Sequence, residues 1–477
     1  MIPNIFKAYD IRGLVGTELT KQFAFSTGVA FAKFLELERE PATVVIGEDM
    51  RPSSPELADA FSAGVTSQGM DVIRIGLAST DMLYFAAGKL NLPGAMFTAS
   101  HNPAQYNGIK LCLSGARPIG KESGLLTIEN FVREGVPVSL RPVGVETKNE
   151  MLNEYVEHLL SLVDVSGIRK LKVVVDAGNG MAGHTAPAVF SRMNVDVTEM
   201  YYELDGTFPN HEANPIDEEN LKDLKSAVKK HGADIGLAFD GDADRCFLVD
   251  ENGEAVNPSL LTALIADREL KKKPGSPIIY NLISSRAVRE VVEENGGKPL
   301  RSRVGHSFIK AMMAESGAIF GGEHSGHFYF ADFWRADSGM LAALHAIAAL
   351  GETEKSLSEL LKPYARYFAS GEINSTVTDS KAVMQHIKEL YGTKAGVTTD
   401  DLDGLTVDGD TWWFNVRASN TEPLLRLNVE AKTQGQMAQL RDEVLAVIRG
   451  LTKSLREASP ININSQYRSK NCLRRPQ

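Results

Sequence analysis

Apolar and polar positions along this chain fall into a repeating order of short apolar strands, helices and polar loops, and that order recurs three times. The first round opens with Ala42-Thr43-Val44-Val45-Ile46-Gly47, passes through a helix over residues 55–68, and takes a second strand at Asp71-Val72-Ile73-Arg74-Ile75 and a third at Gly94-Ala95-Met96-Phe97. The second round repeats this with strands at residues 171–176, 195–197 and 233–239, and the third round with strands at residues 277–280, 299–302 and 318–321. Strands that read as continuous apolar runs between helices belong to sheets covered on both faces. Ligands of such sheets collect beyond the carboxyl ends of the strands. Each third strand runs into an unusually polar loop: Thr98-Ala99-Ser100-His101-Asn102-Pro103, then Asp240-Gly241-Asp242-Ala243-Asp244-Arg245, then Gly322-Glu323-His324-Ser325-Gly326-His327. Three equivalent loops of different chemistry are therefore expected to converge on one cleft.

From about Tyr367 the pattern changes. Asp403-Gly404-Leu405-Thr406-Val407 and Thr411-Trp412-Trp413-Phe414-Asn415-Val416 flank Asp408-Gly409-Asp410, a hairpin signal. Leu424-Leu425-Arg426-Leu427-Asn428-Val429 adds a strand, and residues 434–451 read as an amphipathic closing helix. Residues 134–148 form a polar link with Pro137 and Pro142, and residues 250–258 turn through Glu251-Asn252-Gly253. These breaks divide the chain into domains at 1–148, 149–254, 255–366 and 367–456, with 457–477 an aperiodic basic tail expected to be disordered.

Composition narrows the class. The chain has 477 residues, 43% of them hydrophobic, enough for several cores. The start shows no secretory pattern, and the most apolar long run, residues 340–350, is too short for a bilayer and holds His345. A cytoplasmic address follows by default, with no membrane partner. Cys112, Cys246 and Cys472 lack zinc spacing and argue against a disulfide framework. A net charge of −10 disfavours nucleic acid as partner, so an anionic substrate would need locally concentrated positive charge.

The loops supply candidates for it. Ser100 is placed for covalent chemistry: Asn102 can cap and Pro103 begin a helix, so that free backbone N–H groups would face an anion on the serine oxygen. A turn is expected at Asn107-Gly108, and Lys110 lies on the strand that follows. His101 and Lys110 could neutralise a phosphate or move a proton. Asp240, Asp242 and Asp244 alternate, so their carboxylates can meet on one hard divalent ion. A calcium loop counted from Asp240 reaches Glu251 at its twelfth position but has Arg245 where a glycine is required, and Cys246-Phe247-Leu248-Val249 reads as a strand. Gly178-Asn179-Gly180-Met181-Ala182-Gly183 matches a dinucleotide fingerprint with Glu199 beyond it, yet the equivalent turn of the first round, residues 47–54, has no such pattern, which favours a tight strand-to-helix turn. Glu323, His324 and Ser325 suit sugar hydroxyls, and His327 can act as acid or base. Arg417-Ala418-Ser419-Asn420-Thr421-Glu422-Pro423 with Arg426 is a donor group fit for a fixed phosphate, suggesting a lid that holds a non-reacting phosphate.

Together Tyr9-Asp10-Ile11-Arg12-Gly13 and these four loops resemble the signature motifs of the α-D-phosphohexomutase family, in its bacterial phosphomannomutase/phosphoglucomutase branch, over residues 6–451. The resemblance implies three related α/β domains with mixed sheets around a central cleft plus a C-terminal α+β domain. It implies that Ser100 is a phosphoserine and that Asp240, Asp242, Asp244 and the Ser100 phosphate hold Mg²⁺. It places Arg12, Lys110, Arg245, His306 and His327 around the reacting phosphate and sugar, Glu323 and Ser325 on sugar hydroxyls, and Arg417, Ser419, Asn420 and Thr421 in a phosphate clamp. His324 points to the phosphomannomutase side, away from the phosphoglucosamine mutases. Related bacterial enzymes often carry a Lys near Ile283-Ser284-Ser285; this chain has none there, with Arg286 next in line. The expected activity is Mg²⁺-dependent interconversion of mannose 6-phosphate and mannose 1-phosphate through a hexose 1,6-bisphosphate, which also serves as activator, by a monomer or homodimer acting on small-molecule hexose phosphates. A phosphoglucomutase or dual-specificity mutase is the alternative. A non-catalytic sugar-phosphate-binding protein, a nicotinamide oxidoreductase and a calcium module are the remote ones.

Overall fold

The computed structural model describes residues 5–418 and 424–458, apart from the side chains of residues 306, 307 and 451–458. Ser419, Asn420, Thr421, Cys472 and the residues of the expected tail beyond 458 therefore lie outside the described residues, as does the side chain of His306.

Each of the three rounds folds to the same strand order. The opening strand (Thr43–Glu48, Leu171–Asp176, Pro277–Asn281) is central, with the second (Asp71–Leu77, Val195–Met200, Lys298–Ser302) parallel on one side and the third (Gly94–Phe97, Ile235–Phe239, Phe320–Gly322) parallel on the other. A fourth strand (Tyr106–Leu113, Cys246–Val249, Phe328–Phe330) returns antiparallel beside the third. Reversal straight after the third strand leaves each polar loop at that strand's carboxyl end, where ligands of such sheets bind. The sheets are mixed because their fourth strands break the parallel run.

Two local expectations fail. Asn107 and Gly108 do not turn; they begin the strand Tyr106–Leu113 and pair with Gly13 and Arg12 of a strand the hydrophobic pattern did not mark, Ile11–Leu14. Asn107 spends its amide on Ser53 Oγ (2.8 Å) and Ser54 Oγ (2.9 Å), at the start of the helix Ser54–Ser67, instead of on a turn of its own. Nor does a helix begin at Asn102: the segment between Phe97 and Tyr106 holds neither helix nor strand. The polar link also does more than connect, since Glu146–Lys148 adds a parallel edge strand beside Asp71–Leu77.

One apolar core runs through all three sheets. At its centre is the helix Gly339–Gly351, every residue of which is buried. A helix apolar on all sides belongs inside a protein or a membrane, and its 13 residues cannot cross a bilayer. Met340, Leu341, Leu344, Ile347 and Leu350 are each buried at 1% exposure or less, a gain of about 1.5–3 kcal/mol apiece over leaving them in water. His345, 2% exposed, stacks on Phe330 with ring centroids 5.3 Å apart. Among the described residues no helix is long and apolar enough to cross a membrane.

The chain from Tyr367 forms a separate compact unit. Its five strands run in the order Phe368–Thr376, Leu424–Ala431, Trp412–Ala418, Leu405–Asp408, Thr398–Asp400, all antiparallel. The helices Ser380–Gly392 and Gln434–Ala458 supply Val383, Ile387, Val444 and Ile448 to the core of this unit, alongside Phe414 and Leu427 of the sheet.

Candidate active site

The three loops meet. Ser100 Oγ donates to Asp240 Oδ2 at 2.7 Å and lies 3.2 Å from His101 Nδ1. Arg245 Nε donates to His327 Nε2 at 3.0 Å, and the same two residues form an isolated antiparallel bridge between the second and third loops. Lys110, projecting from the fourth strand of the first sheet, donates to Asp242 Oδ2 (2.6 Å) and Asp244 Oδ2 (2.7 Å). Register brings in Arg12: opposite Gly108, it donates to Asn102 Oδ1 and to Asp10.

Asp240, Asp242 and Asp244 are each no more than 1% exposed, and one oxygen from each lies within 4.8 Å of the others. Asp242 Oδ1 and Asp244 Oδ1 are buried without any hydrogen bond. Orphaned buried carboxylate oxygens are costly unless a cation completes them, so the donor set fits a hard divalent ion. Charge agrees. Burial, then the neighbouring Asp244 and Asp242, push the Asp240 carboxyl up to about 8. Asp242 is held low despite burial, because Lys110 binds it. Lys110, buried but braced by Asp242 and Asp244, is raised well above the ordinary lysine value and is a fixed cation. Arg245, then burial, hold the His101 imidazole well below its ordinary value, so it is neutral.

His327 Nδ1 lies 2.9 Å from Asp337 Oδ2. With Nε2 accepting from Arg245, the ring proton sits on Nδ1, facing Asp337. Glu323 is 2% exposed, its Oε2 accepting from Tyr329 Oη (2.7 Å) and its Oε1 from the Gly305 N–H (3.2 Å). His324 Nδ1 is 3.0 Å from Asn281 Nδ2 and both His324 and Ser325 are half-buried. His306 opens the helix His306–Ser316, and Arg286 the helix Arg286–Glu294. In the C-terminal unit, Arg417 and Arg426 face each other across paired strands and share Glu372, at 2.9 and 3.5 Å.

The expected helix N-terminus behind Ser100 is replaced by packed backbone. A Cβ on Gly241 would lie 2.4 Å from Ser100 O, and one on Gly180 would lie 2.7 Å from Gly241 O. The glycines of the fingerprint-like turn thus let it press on the aspartate loop, which presses on the serine; Met181 N donates to Gly241 O at 2.9 Å. The calcium template fails likewise: Cys246–Val249 is a strand and Glu251 accepts from Ser358 N at 3.1 Å. Gly241→Ala is expected to cost about 1–3 kcal/mol through overpacking and to lower activity with it, read from thermal unfolding and a turnover assay. Sequence reasoning missed Asn281, Tyr329, Asp337, Thr80, Glu372 and Arg51. The only signal for Asn281 and Arg51 was position, near the carboxyl ends of the opening strands.

Models of the phosphoglucomutase/phosphomannomutase family match in order: alpha/beta/alpha domain I at residues 3–136, domain II at 153–253, domain III at 257–367 and the C-terminal domain at 372–447. The chain is 41% identical over 448 residues to the phosphohexose mutases of Xanthomonas campestris pv. campestris strain B100, covering 93% of this chain and 99% of that one. It is 40% identical over 448 residues to the phosphomannomutase of Vibrio cholerae serotype O1, covering 92% and 96%. The crystal structure of a phosphoglucomutase/phosphomannomutase family protein from Burkholderia thailandensis superposes with a TM-score of 0.86 at 31% identity, covering 94% of this chain and 98% of that one. Four family domains in sequence, full-length relatives and a shared fold assign this chain to the phosphoglucomutase/phosphomannomutase family.

Proposed function

We propose that this chain is a Mg²⁺-dependent phosphomannomutase that carries a phosphoryl group on Ser100 and passes through a hexose 1,6-bisphosphate. The observation that carries this reading is the 2.7 Å contact between Ser100 Oγ and Asp240 Oδ2, within a trio of buried aspartates. A serine suits the carrier role because an alkyl phosphate is long-lived in water and transfers once its charge is offset. Asp240, Asp242, Asp244 and the Ser100 phosphate would hold Mg²⁺, which supplies charge neutralisation at the transferring group. Lys110, Arg245 and Arg12 add fixed positive charge, which is how phosphoryl transfer is mostly catalysed.

In the first transfer the Ser100 Oγ–P bond breaks as a hexose hydroxyl oxygen bonds to phosphorus, and the hydroxyl proton passes to His327 Nε2. His327 is the better base of the histidine and lysine candidates, because its Nδ1 proton faces Asp337 and its Nε2 lone pair is available once Arg245 Nε turns from it to the transferring phosphate, whereas Lys110 is held charged by two aspartates. The bisphosphate then turns end for end, its other phosphoryl group returns to Ser100 Oγ, and His327 gives the proton back to the departing sugar oxygen. Glu323, His324 and Ser325, with His306, bind the sugar; that full-length relatives are named phosphomannomutase favours mannose over glucose phosphates as substrates. Arg417 and Arg426, with Ser419, Asn420 and Thr421, hold the phosphate that is not being transferred, in place of Glu372.

Coupled assays with mannose 1-phosphate and glucose 1-phosphate in Mg²⁺ and a trace of hexose 1,6-bisphosphate, alongside intact mass, test this. Turnover faster with mannose 1-phosphate, and one phosphate on Ser100, are expected; no turnover of either and no covalent phosphate overturns the reading. Arg417→Ala is expected to raise KM about 10- to 100-fold, the loss of a charged hydrogen-bond pair, with kcat little changed. An unchanged KM removes Arg417 from the clamp.

A further inference from the structure

A fully buried arginine sits beneath the Ser100 loop with no part in the chemistry above. Arg51 is 1% exposed. Its Nη2 donates to Ser100 O (2.9 Å) and Asn102 O (2.7 Å), and its Nη1 donates to Pro103 O (3.0 Å) and Tyr106 O (2.9 Å). One guanidinium thus binds three carbonyls of a segment that has neither helix nor strand of its own, and a fourth on the first residue of the strand that follows. The arginine is itself fixed: Nε lies 3.3 Å from Asp49 Oδ2, and the plane sits over the Phe208 ring at 5.1 Å. A hydrophobic core has cheaper ways to fill this volume, since burying a guanidinium requires that its donors be met.

What the arrangement maintains is an unfavourable backbone. Ser100 has φ +50°, the left-handed region, which costs a non-glycine residue about 1–2 kcal/mol. Such a conformation persists only when its surroundings over-determine it. Tying the Ser100 carbonyl down to Arg51 has a geometric consequence. The Ser100–His101 peptide is trans, so its N–H points opposite to its carbonyl, away from the guanidinium. The backbone donor expected from a helix N-terminus is thereby replaced by a peptide that Arg51 orients.

Resting on the phosphoryl-transfer reading above, we propose that Arg51 is a positioning residue for that transfer: it locks the strained loop so that Ser100 Oγ is held against the aspartate trio, without itself touching substrate. A guanidinium fork is what the role requires, because four carbonyls, two on each terminal nitrogen, match its four terminal N–H donors and exceed the three of a single ammonium group. Arg51→Lys keeps the charge and removes the fork, so the charge alone does not preserve function.

The experiment follows the phosphorylation of the dephosphorylated full-length protein by glucose 1,6-bisphosphate in Mg²⁺, by intact mass over time, for wild type, Arg51→Lys and Arg51→Met. Steady-state kcat and KM and the thermal midpoint are measured in parallel. In Arg51→Lys we expect the wild-type end point of one phosphate per chain to be reached about 10²-fold more slowly, the scale of a small misplacement of reacting groups, with kcat reduced to match and KM within about twofold. Labelling at the wild-type rate overturns the proposal, and so does a wild-type rate with a lowered end point, which means only that less protein is folded. If Arg51→Met does not fold, Arg51→Lys alone decides. Failure of the wild type to take up phosphate overturns the mutase reading instead.

Discussion

Ser100→Ala loses mutase turnover by on the order of 10³-fold or more, the scale seen when a covalent nucleophile is removed, and keeps its fold. The structure separates the two effects. Among the described residues Ser100 Oγ donates to Asp240 Oδ2, lies beside His101 Nδ1 and helps hold Asp242 low, so its loss costs about 1 kcal/mol of stability. Alanine tolerates φ +50° no worse than serine does. The carbonyl, which Arg51 holds, is unaffected by the change. The thermal midpoint should therefore stay near that of the wild type, and hexose phosphate affinity by calorimetry should change less than about threefold, since the fixed cations Lys110, Arg245 and Arg12 remain. Intact mass should find no covalent phosphate after incubation with hexose 1,6-bisphosphate. Turnover restored by that bisphosphate would show that the sugar exchanges phosphate without a serine carrier, and the proposed mechanism would fail.

The three-round architecture was legible because buried strands write themselves as apolar runs, and residues 94–97, 171–176 and 277–280 need no partner to be read. That each such run ends in a chemically loaded loop was legible too, and Ser100, Asp240 and His327 do come from three equivalent loops. The strand Tyr106–Leu113 was harder. Asn107-Gly108 is a strong local turn signal, and what overrides it is non-local: Ile11–Leu14 pairs across it, and Ser53 and Ser54 take the Asn107 amide. The helix start expected at Asn102-Pro103 was misread for the same reason. Its carbonyls are satisfied by Arg51, 49 to 55 residues away in sequence, rather than by the next turn of a helix. Asp337 and Tyr329 were out of reach because their chemistry is one of orientation. Nothing in the short strands that carry them marks a residue that braces His327 or Glu323.

Asp242→Asn separates metal binding from folding. In the wild type, three buried carboxylates face two close cations, Lys110 and Arg245, and Asp242 carries the contact to Lys110 at 2.6 Å together with one from Thr80 at 2.5 Å. Removing that charge takes one of two partners from Lys110, which keeps Asp244 at 2.7 Å, and loses an ionised carboxylate that the fold holds low. With a chelator present the variant should therefore unfold below the wild-type temperature. Added Mg²⁺ separates this effect from metal binding, because a ligand that binds only the folded state stabilises it by about 2.7 kcal/mol at a hundred times its Kd. The wild-type midpoint should rise on titration with Mg²⁺, whereas the variant's should barely move. Turnover should fall about 10²-fold, with the Mg²⁺ concentration for half-maximal rate raised about tenfold or more, as when one charged ligand is lost from a transferring phosphoryl group. Equal Mg²⁺-dependent shifts in scanning calorimetry would exclude Asp242 from the metal set and leave Asp240 and Asp244 to hold the ion with the serine phosphate.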